Sequence, residues 1–277
     1  MIQRQVPAKG VVKMSDMNSD SDADTEAKRR RRGIYVLPNL FTTAALFGGF
    51  YAIVMAMGHR YDLSAAAIFV AMVLDGADGR IARLTNTESD FGAEYDSLAD
   101  VVSFGIAPAL VMYQWVLEPM GKLGWIATFF YAAATALRLA RFNTQLAVAD
   151  KRYFQGLPCP AAAGVMAGFI WIGVEYGLEG PIMAWVAIAI TVATGGLMVS
   201  NVRFNSFKEL DLKGRMPFVM TLAIVVVFAL VSLDPPAVLF GVFAIYAISG
   251  PCMTLLQIRQ RRAARQLEAS RPRDPDA

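Results

Sequence analysis

Apolar stretches about as long as a membrane-spanning helix, which needs roughly 20 residues, recur along most of this chain. Short polar segments separate them. This alternation predicts an all-α fold, a polytopic bundle of about eight transmembrane helices. The predicted spans cover residues 37–57, 63–84, 93–117, 123–145, 160–177, 181–200, 216–233 and 236–258.

The composition supports a membrane protein. Of the 277 residues, 56% are hydrophobic, which is too apolar for an ordinary soluble domain. The two cysteines, Cys159 and Cys252, cannot make a disulfide framework. The single histidine, His59, falls in a predicted outer loop, which argues against histidine-based catalysis and against a histidine metal site.

The charged residues divide the chain into three parts. Residues 1–33 are polar and charged, and we expect them to form a disordered cytoplasmic extension. Residues 34–258 form the predicted transmembrane domain, and residues 259–277 form a basic cytoplasmic tail. The basic run at 28–32 is more typical of a topology signal and lipid-headgroup anchor than of a nucleic-acid site, so no nucleic-acid partner is expected.

The distribution of positive charge predicts the orientation. Both ends of the transmembrane domain are basic, and an even number of spans places both ends on one side. By the positive-inside rule that side is the cytoplasm. We therefore expect a multi-pass protein of the cell (inner) membrane, with both termini and the loop between the second and third spans facing the cytoplasm.

Most of the candidate chemistry lies in the run Asp75–Asp100, DGADGRIARLTNTESDFGAEYDSLAD. Asp75 and Asp78 are three residues apart, so they share one face of the second helix. Asp96 and Asp100 are four residues apart on the third helix, and the short loop makes the two helices antiparallel neighbours. The four carboxylates are therefore predicted to share one site, because ionised acids at membrane depth persist only where they bind something.

Four carboxylates in a low dielectric repel one another, and divalent cations are the natural compensation. Oxygen-only ligands favour Mg²⁺ or Mn²⁺, and two such ions can clamp phosphate oxygens. Gly79 leaves room for a ligand, and Arg83 offers a cation that suits phosphate. These parts favour a pyrophosphate substrate, two divalent ions and one carboxylate that acts as a base.

The carboxylate spacing also fits a polar network between helices or an ion pathway in a transporter. Gly79, Arg83 and Gly92 at fixed positions favour the phosphate site instead. A transport pathway would also spread its acids across the membrane, whereas these aspartates cluster at one end. Because the apolar stretch before Asp75 is too short for a complete span, we expect the site below the interface, in a cavity that opens to the cytoplasm.

The same run resembles the signature of the CDP-alcohol phosphatidyltransferase family at every defining position: D-x-x-D-G-x-x-A-R, eight residues, then G-x-x-x-D-x-x-x-D. The resemblance implies that Asp75, Asp78 and Asp96 hold one divalent ion. It implies that Asp75, Asp96 and Asp100 hold or face a second ion, and that Asp100 deprotonates the acceptor alcohol. The implied cofactors are two Mg²⁺ or Mn²⁺ ions.

The resemblance also implies contacts with the CDP group, from Gly79, Arg83 and Ser89. The segment PNLFT at the start of the first span is similar to the family's first-helix element. This similarity implies that Asn39 and Thr42 lie near the nucleotide. An ordinary helix start, with Asn39 or Thr42 as its cap, is the alternative.

The signature leaves the acceptor open, and three further segments address it. They resemble those of membrane-integrated phosphatidylserine synthases of bacteria and archaea, a branch of the family, and cover Leu137–Asn143, Phe154–Ala163 and Val199–Phe204. This resemblance implies transfer of the phosphatidyl group from CDP-diacylglycerol to L-serine with release of CMP, by a homodimer in contact with membrane lipid. Another acceptor, glycerol 3-phosphate or inositol (phosphate), is the alternative.

Three arginines near cytoplasmic helix ends are candidates to hold the acceptor or the lipid phosphate: Arg138, Arg141 and Arg203. A guanidinium group can hold a carboxylate, such as that of serine, through two hydrogen bonds. A phosphorylated acceptor would need the same cations, and snorkelling to lipid headgroups is the other explanation. Because no Ser–His or Cys–His pair is available as a nucleophile, we expect direct in-line attack with Asp100 as base.

Overall fold

The computed structural model describes residues 38–85, 87, 89–145, 153–178, 180–205, 225–226 and 229–269. The long helices are α1 Pro38–Met57, α2 Tyr61–Thr85, α3 Asp90–Met120, α4 Lys122–Gln145, α5 Cys159–Glu175, α6 Pro181–Val199 and α7 Pro235–Ala269. Two short strands, β1 Tyr153–Gln155 and β2 Arg203–Asn205, pair antiparallel with each other. Helix α5 packs against α2 and α7, while α4 packs against α3 and α6.

Among these helices, 5 are long and apolar enough to cross a membrane: α1, α3, α4, α6 and the Pro235–Thr254 part of α7. Helix α5 is apolar but has only 17 residues. Helix α2 has 25 residues but carries acidic and basic side chains toward its end. The prediction of a helical membrane protein with several membrane-spanning helices is therefore confirmed. The predicted span 216–233 lies largely outside the described residues, and the count of eight spans stays a prediction.

Helix α3 is continuous but not regular, because π-helical segments interrupt it at Val101–Ile106 and Tyr113–Leu117. Pro108 lies between these segments and has no N–H to donate to the carbonyl of Phe104. The hydroxyl of Tyr131 on α4 donates to that carbonyl instead, at 3.0 Å. A side chain of the neighbouring helix thus supplies a hydrogen-bond donor to α3 where proline removes one.

Small residues bring α1 close to its neighbours. A Cβ added to Gly48 would lie 3.0 Å from the Cβ of Ala71 on α2, and one added to Gly49 would come within 2.6 Å of the Ser103 Cα on α3. The Ser103 hydroxyl in turn donates to the Ala45 carbonyl at 3.0 Å. Such close approach of backbones is usual in membrane helix bundles. Here it fixes α1 against the two helices that carry the aspartates.

The short strands are a departure from the all-α fold expected from the sequence. Gln155 of β1 pairs with Arg203 of β2. Phe204 is fully buried, and its ring lies against Tyr246 and in the space that Gly250 leaves on α7. The ladder therefore joins the segment after α4 to the segment after α6 and anchors both on α7. Strands of three residues are too short to show a recognisable alternation in the sequence.

Candidate active site

Two antiparallel helix segments present the four predicted acids. Asp75 and Asp78 lie toward the C-terminal end of α2, and α3 carries the other two in its first turns. Carboxylate oxygens of Asp75, Asp78 and Asp96 all lie within 4.8 Å of one another. The carboxyl group of Asp100 lies within hydrogen-bonding distance of that of Asp75. The structure thus brings all four aspartates together, in a group that we call the aspartate cluster.

The aspartate cluster has the properties of a cation site. Asp78 is buried, and Oδ1 of Asp96 is buried with no hydrogen-bond partner among the described residues. None of the four aspartates forms a salt bridge with a described residue. Grouped carboxylates without a salt-bridge partner are unfavourable away from water, and their oxygens are the ligands that Mg²⁺ and Mn²⁺ prefer. The donor set therefore fits a divalent cation.

Gly79 and Arg83, two of the predicted CDP contacts, border the cluster on α2. A Cβ at Gly79 would lie 3.7 Å from Nη1 of Arg83, so the guanidinium group lies over the position that glycine leaves open. Arg83 is exposed, and it lies close enough to Asp78 for their charges to interact. An exposed cation beside the buried Asp78 carboxylate is suited to an anionic ligand that enters from outside.

Ser89 and Asn39 meet at Gly92. The Ser89 hydroxyl caps the N-terminus of α3 by accepting the Gly92 N–H at 3.1 Å. A Cβ at Gly92 would lie 3.1 Å from Oγ of Ser89 and 3.5 Å from Oδ1 of Asn39. A side chain at this position would therefore crowd the Ser89 hydroxyl and would touch Asn39 at an ordinary contact distance.

Thr42 contacts the aspartate cluster directly. Its hydroxyl donates a hydrogen bond of 2.7 Å to Oδ2 of Asp78, and the two residues are only 4% and 5% exposed. Thr42 and Asn39 both lie inside α1, so the alternative that either of them caps the helix is wrong. Sequence reasoning missed the contact between Thr42 and Asp78 because the two residues are 36 positions apart.

Arg138 lies partly buried on α4, next to the start of α5. Its Nη1 donates to Sγ of Cys159 at 3.1 Å, and its Nε is buried with no partner among the described residues. Cys159 is fully buried and lies close enough to Asp100 to interact with its charge. Among the candidate arginines whose side chains the structure describes, Arg138 is therefore the one linked to the aspartate cluster, through Cys159. The sequence analysis included Cys159 in the Phe154–Ala163 segment but gave it no role of its own.

Arg141 has different neighbours. Its Nη2 donates to Oε1 of Gln155 at 2.7 Å and to Oδ1 of Asn201 at 2.8 Å. These bonds connect the end of α4 with β1 and with the segment that leads into β2. The backbone of Arg203 lies in β2, and its side chain is outside the described part of the structure.

A further polar pair joins α3 to α4 beside the cluster. Nδ2 of Asn143 donates to Oγ of Ser97 at 3.0 Å, and Ser97 directly follows Asp96 in the chain. Sequence reasoning assigned no role to either residue. The position of Ser97 next to Asp96 was the one sequence feature that could have drawn attention to this pair. Its partner on α4, Asn143, can be identified only from the packing of the helices.

The comparison with known families agrees with this geometry. The family model for CDP-alcohol phosphatidyltransferase matches residues 35–195, which is more than half of the chain. The chain belongs to the CDP-alcohol phosphatidyltransferase family. As a CDP-alcohol phosphatidyltransferase, it is a transferase whose matched region contains the whole aspartate cluster, Arg138 and Arg141, while Arg203 lies beyond it.

Several relatives cover most of this CDP-alcohol phosphatidyltransferase. The CDP-diacylglycerol–serine O-phosphatidyltransferase of Helicobacter pylori (strain ATCC 700392 / 26695) is 36% identical over 216 residues, which cover 78% of this chain and 90% of the relative. The enzyme of the same name from Methanocaldococcus jannaschii is 33% identical over 186 residues, covering 67% and 82%. That of Bacillus subtilis (strain 168) is 31% identical over 176 residues, covering 62% and 92%.

Proposed function

We propose that this protein is a phosphatidylserine synthase, which transfers the phosphatidyl group of CDP-diacylglycerol to the hydroxyl of L-serine and releases CMP. The observation that carries the reaction class is the approach of three carboxylates within 4.8 Å of one another, with Asp100 beside them. The choice of serine is supported by relatives that are named for this acceptor, with 36% identity over 216 residues in one of them.

The aspartate cluster is proposed to hold divalent cations, Mg²⁺ or Mn²⁺. Asp75, Asp78 and Asp96 would hold one ion, and Asp75, Asp96 and Asp100 would hold or face a second. The buried Oδ1 of Asp96, which has no partner among the described residues, supports a ligand at this position. When bound, such ions offset the negative charge of the pyrophosphate and of the departing CMP.

Asp100 is proposed to act as the general base. It removes the proton from the serine hydroxyl, and the serine oxygen forms a bond to the phosphorus of the phosphatidyl group. The bond from this phosphorus to the oxygen that bridges to CMP breaks, and CMP leaves with the electron pair. Phosphatidylserine and CMP are the products, and the proton resides on Asp100 until it is released to solvent.

Direct attack by serine is favoured over a covalent enzyme intermediate. The single histidine, His59, precedes the start of α2, at the opposite end of this helix from Asp75. It is therefore too far from the aspartate cluster to activate a serine or cysteine nucleophile. The thiol of Cys159 is fully buried, and buried structural cysteines are unreactive, which argues against its use as a nucleophile.

The donor is proposed to approach from the side of Gly79 and Arg83. The exposed guanidinium group of Arg83 suits a phosphate of CDP, and Gly79 provides space next to it. Ser89 and Asn39, which meet at Gly92, are proposed to contact the rest of the CDP group. The acyl chains of the donor remain in the surrounding lipid.

The acceptor is proposed to bind beside Arg138, with Arg141 and Arg203 as further candidates for the acceptor or the lipid phosphate. A guanidinium group has five N–H donors, and the thiol of Cys159 is a weak acceptor. Arg138 therefore retains donors for the serine carboxylate. Arg141 donates to two amide oxygens, which favours an indirect contribution through the segments it connects.

The proposed setting is the inner membrane, with eight spans and with both termini and the active site facing the cytoplasm. The basic residues at both ends of the transmembrane domain support this orientation. Water-soluble serine then reaches the site from the cytoplasm. A homodimer is proposed from the family resemblance.

Release of CMP by the detergent-purified protein tests the proposed function. CDP-diacylglycerol and Mn²⁺ or Mg²⁺ are supplied, and serine, glycerol 3-phosphate, inositol phosphate and inositol are offered in separate reactions. We expect CMP release with serine alone, and loss of this release when EDTA is added. An Asp100→Asn variant purified in the same way controls for a contaminating synthase of the host.

The other outcomes would count against the proposal. Release of CMP with a phosphorylated acceptor or inositol, and not with serine, would leave the reaction class intact and reject serine. Release that is equal in the presence and absence of EDTA would reject the proposed metal dependence. No release with any acceptor would reject the proposed function as a whole.

A further inference from the structure

Among the described residues, the contact between Thr42 and Asp78 is the only hydrogen bond from a side chain outside the aspartate cluster to a member of the cluster. Helix α1 carries no Asp or Glu between Pro38 and Met57, so it offers no carboxylate ligand of its own. Its approach to α2 and α3 nevertheless brings the Thr42 hydroxyl within 2.7 Å of Oδ2 of Asp78. Helix α1 thus reaches the cluster through a hydroxyl group.

From this contact we infer that Thr42 is a positioning residue, which holds Asp78 in the orientation needed to bind a divalent cation and does not contact the nucleotide. The inference rests on the proposed function insofar as that function assigns a cation to the aspartate cluster. It differs from the family resemblance, which implies that Thr42 lies near the nucleotide.

The hydrogen bond is directed toward the carboxylate. The Thr42 hydroxyl also lies 3.2 Å from the carbonyl of Pro38, but a hydroxyl has one proton to donate. The contact with Asp78 is shorter and joins the donor to a charged acceptor, which is the stronger arrangement. The branched threonine side chain has two common rotamers within a helix, and the one adopted here places the hydroxyl near both the Pro38 carbonyl and Asp78.

The burial of the pair argues against a direct contact with CDP. Thr42 is 4% exposed and Asp78 is 5% exposed, so a substrate that reached the hydroxyl would have to displace the carboxylate. The backbone N–H of Gly79 also donates to Asp78. A carboxylate has about four lone-pair positions, and two donors leave the remainder free for a cation. Asp78 is therefore held in place without being saturated.

No comparable pair of hydrogen-bond donors among the described residues holds the other acids of the cluster in place. Oδ1 of Asp96 has no partner among the described residues, and Asp75 is in contact with another acid, Asp100. Asp78 is thus the member of the set with the most fixed orientation. Loss of a hydrogen bond that orients a metal ligand typically weakens metal binding about 10–100-fold. Removal of the Thr42 hydroxyl is expected to have this effect.

Binding of Mn²⁺ to the full-length protein in detergent tests the inference without any substrate. The protein is freed of metal with EDTA and desalted, and free Mn²⁺ is followed by electron paramagnetic resonance during a titration. We expect Thr42→Val to weaken Mn²⁺ binding about tenfold or more, and Thr42→Ser, which keeps the hydroxyl, to bind nearly as the wild type. Thr42→Ala serves as a second variant without the hydroxyl if Thr42→Val does not fold.

Thr43→Val is the matched control. Thr43 is the neighbouring threonine of α1, and its hydroxyl contacts the Tyr95 hydroxyl at 2.9 Å, outside the aspartate cluster. We expect this variant to bind Mn²⁺ as the wild type does. A similar loss in Thr43→Val and Thr42→Val would indicate a general disturbance of α1 and would overturn the specific role of Thr42.

The KM for CDP-diacylglycerol at saturating Mn²⁺ separates positioning from nucleotide binding. We expect this KM to be unchanged in Thr42→Val. An increased KM together with unchanged Mn²⁺ affinity would assign Thr42 to the nucleotide and overturn the inference. The titration contains neither serine nor CDP-diacylglycerol. The Mn²⁺ result can therefore be interpreted even if serine proves not to be the acceptor.

Discussion

Arg138 on α4 and Cys159 at the start of α5 form a hydrogen bond of 3.1 Å, from Nη1 to Sγ. The thiol is a weak acceptor, so this contact uses little of the capacity of a guanidinium group. The buried Nε has no partner among the described residues. Arg138 therefore has donors available for an anionic group of a substrate, beside a cysteine that interacts with the charge of the proposed base Asp100.

We predict that Arg138→Lys raises the KM for serine about tenfold and changes the KM for CDP-diacylglycerol less. A lysine ammonium group cannot reproduce the two parallel hydrogen bonds that a guanidinium group makes with a carboxylate. Steady-state kinetics with each substrate varied in turn measures both constants. Arg80→Lys is the matched control, because Arg80 is an exposed arginine of α2. An unchanged serine KM in Arg138→Lys would remove Arg138 from the acceptor pocket.

We predict that Asp100→Asn lowers kcat about 100-fold or more and leaves CDP-diacylglycerol binding largely intact. An amide has nearly the shape of the carboxylate but cannot accept the proton of serine, and a general base typically contributes about 10²–10⁴-fold. Isothermal titration calorimetry in detergent measures donor binding. Asp62→Asn, at the start of α2 and outside the cluster, is the control. Loss of donor binding in Asp100→Asn would reject a role for Asp100 as base alone.

Arg141→Lys is predicted to raise the serine KM more than the donor KM and to lower the apparent melting temperature by about 2–4 °C. The lysine cannot maintain the bonds to both Gln155 and Asn201, so the ladder of β1 and β2 is less firmly joined to α4. Differential scanning fluorimetry and steady-state kinetics measure the two effects.

A double-mutant cycle identifies the source of the Arg141 effect. In a Gln155→Ala background one of the two partners is already absent. Arg141→Lys should therefore lower the apparent melting temperature and raise the serine KM by less than in the wild type. If the effects of the two substitutions simply add, Arg141 does not act through Gln155.

The convergence of the aspartates could be predicted because it depends on local rules. Asp75 and Asp78 share a helix face through their spacing, and the same is true of Asp96 and Asp100. The short segment between α2 and α3 then forces the two faces together. Neither step needs knowledge of the rest of the fold. The helical membrane bundle followed from the same kind of local information, the length of the apolar stretches.

The supporting contacts could not be predicted, because they join residues that are distant in the chain. Thr42 and Asp78 are 36 positions apart, and Arg141 and Asn201 are 60 positions apart. No periodicity links such pairs, and only the packing of three or more helices determines them. The pairing of β1 with β2 depends on the same packing.

Pro108 illustrates the boundary between the two kinds of information. A proline inside a predicted span shows from the sequence that the carbonyl four residues earlier, that of Phe104, loses its helical partner. The group that replaces this partner, the Tyr131 hydroxyl of α4, follows only from the packing of α3 on α4. A membrane interior offers no water to take its place, which makes the replacement necessary.

We predict that Tyr131→Phe lowers the stability of the protein by about 1 kcal/mol, because it removes the buried hydrogen bond to the Phe104 carbonyl. The apparent melting temperature in detergent measures the loss. Tyr51→Phe is the control, since Tyr51 is an exposed tyrosine of α1.

Tyr131→Phe is expected to lower the stability of the protein by less in a Pro108→Ala background. Alanine restores the N–H that proline lacks, so the Phe104 carbonyl regains a donor within α3 and depends less on Tyr131. A cost of Tyr131→Phe that is equal in both backgrounds would show that the Tyr131 hydroxyl does not compensate for the missing N–H of Pro108. The burial of Tyr131 would then have to be explained by packing between α3 and α4 alone.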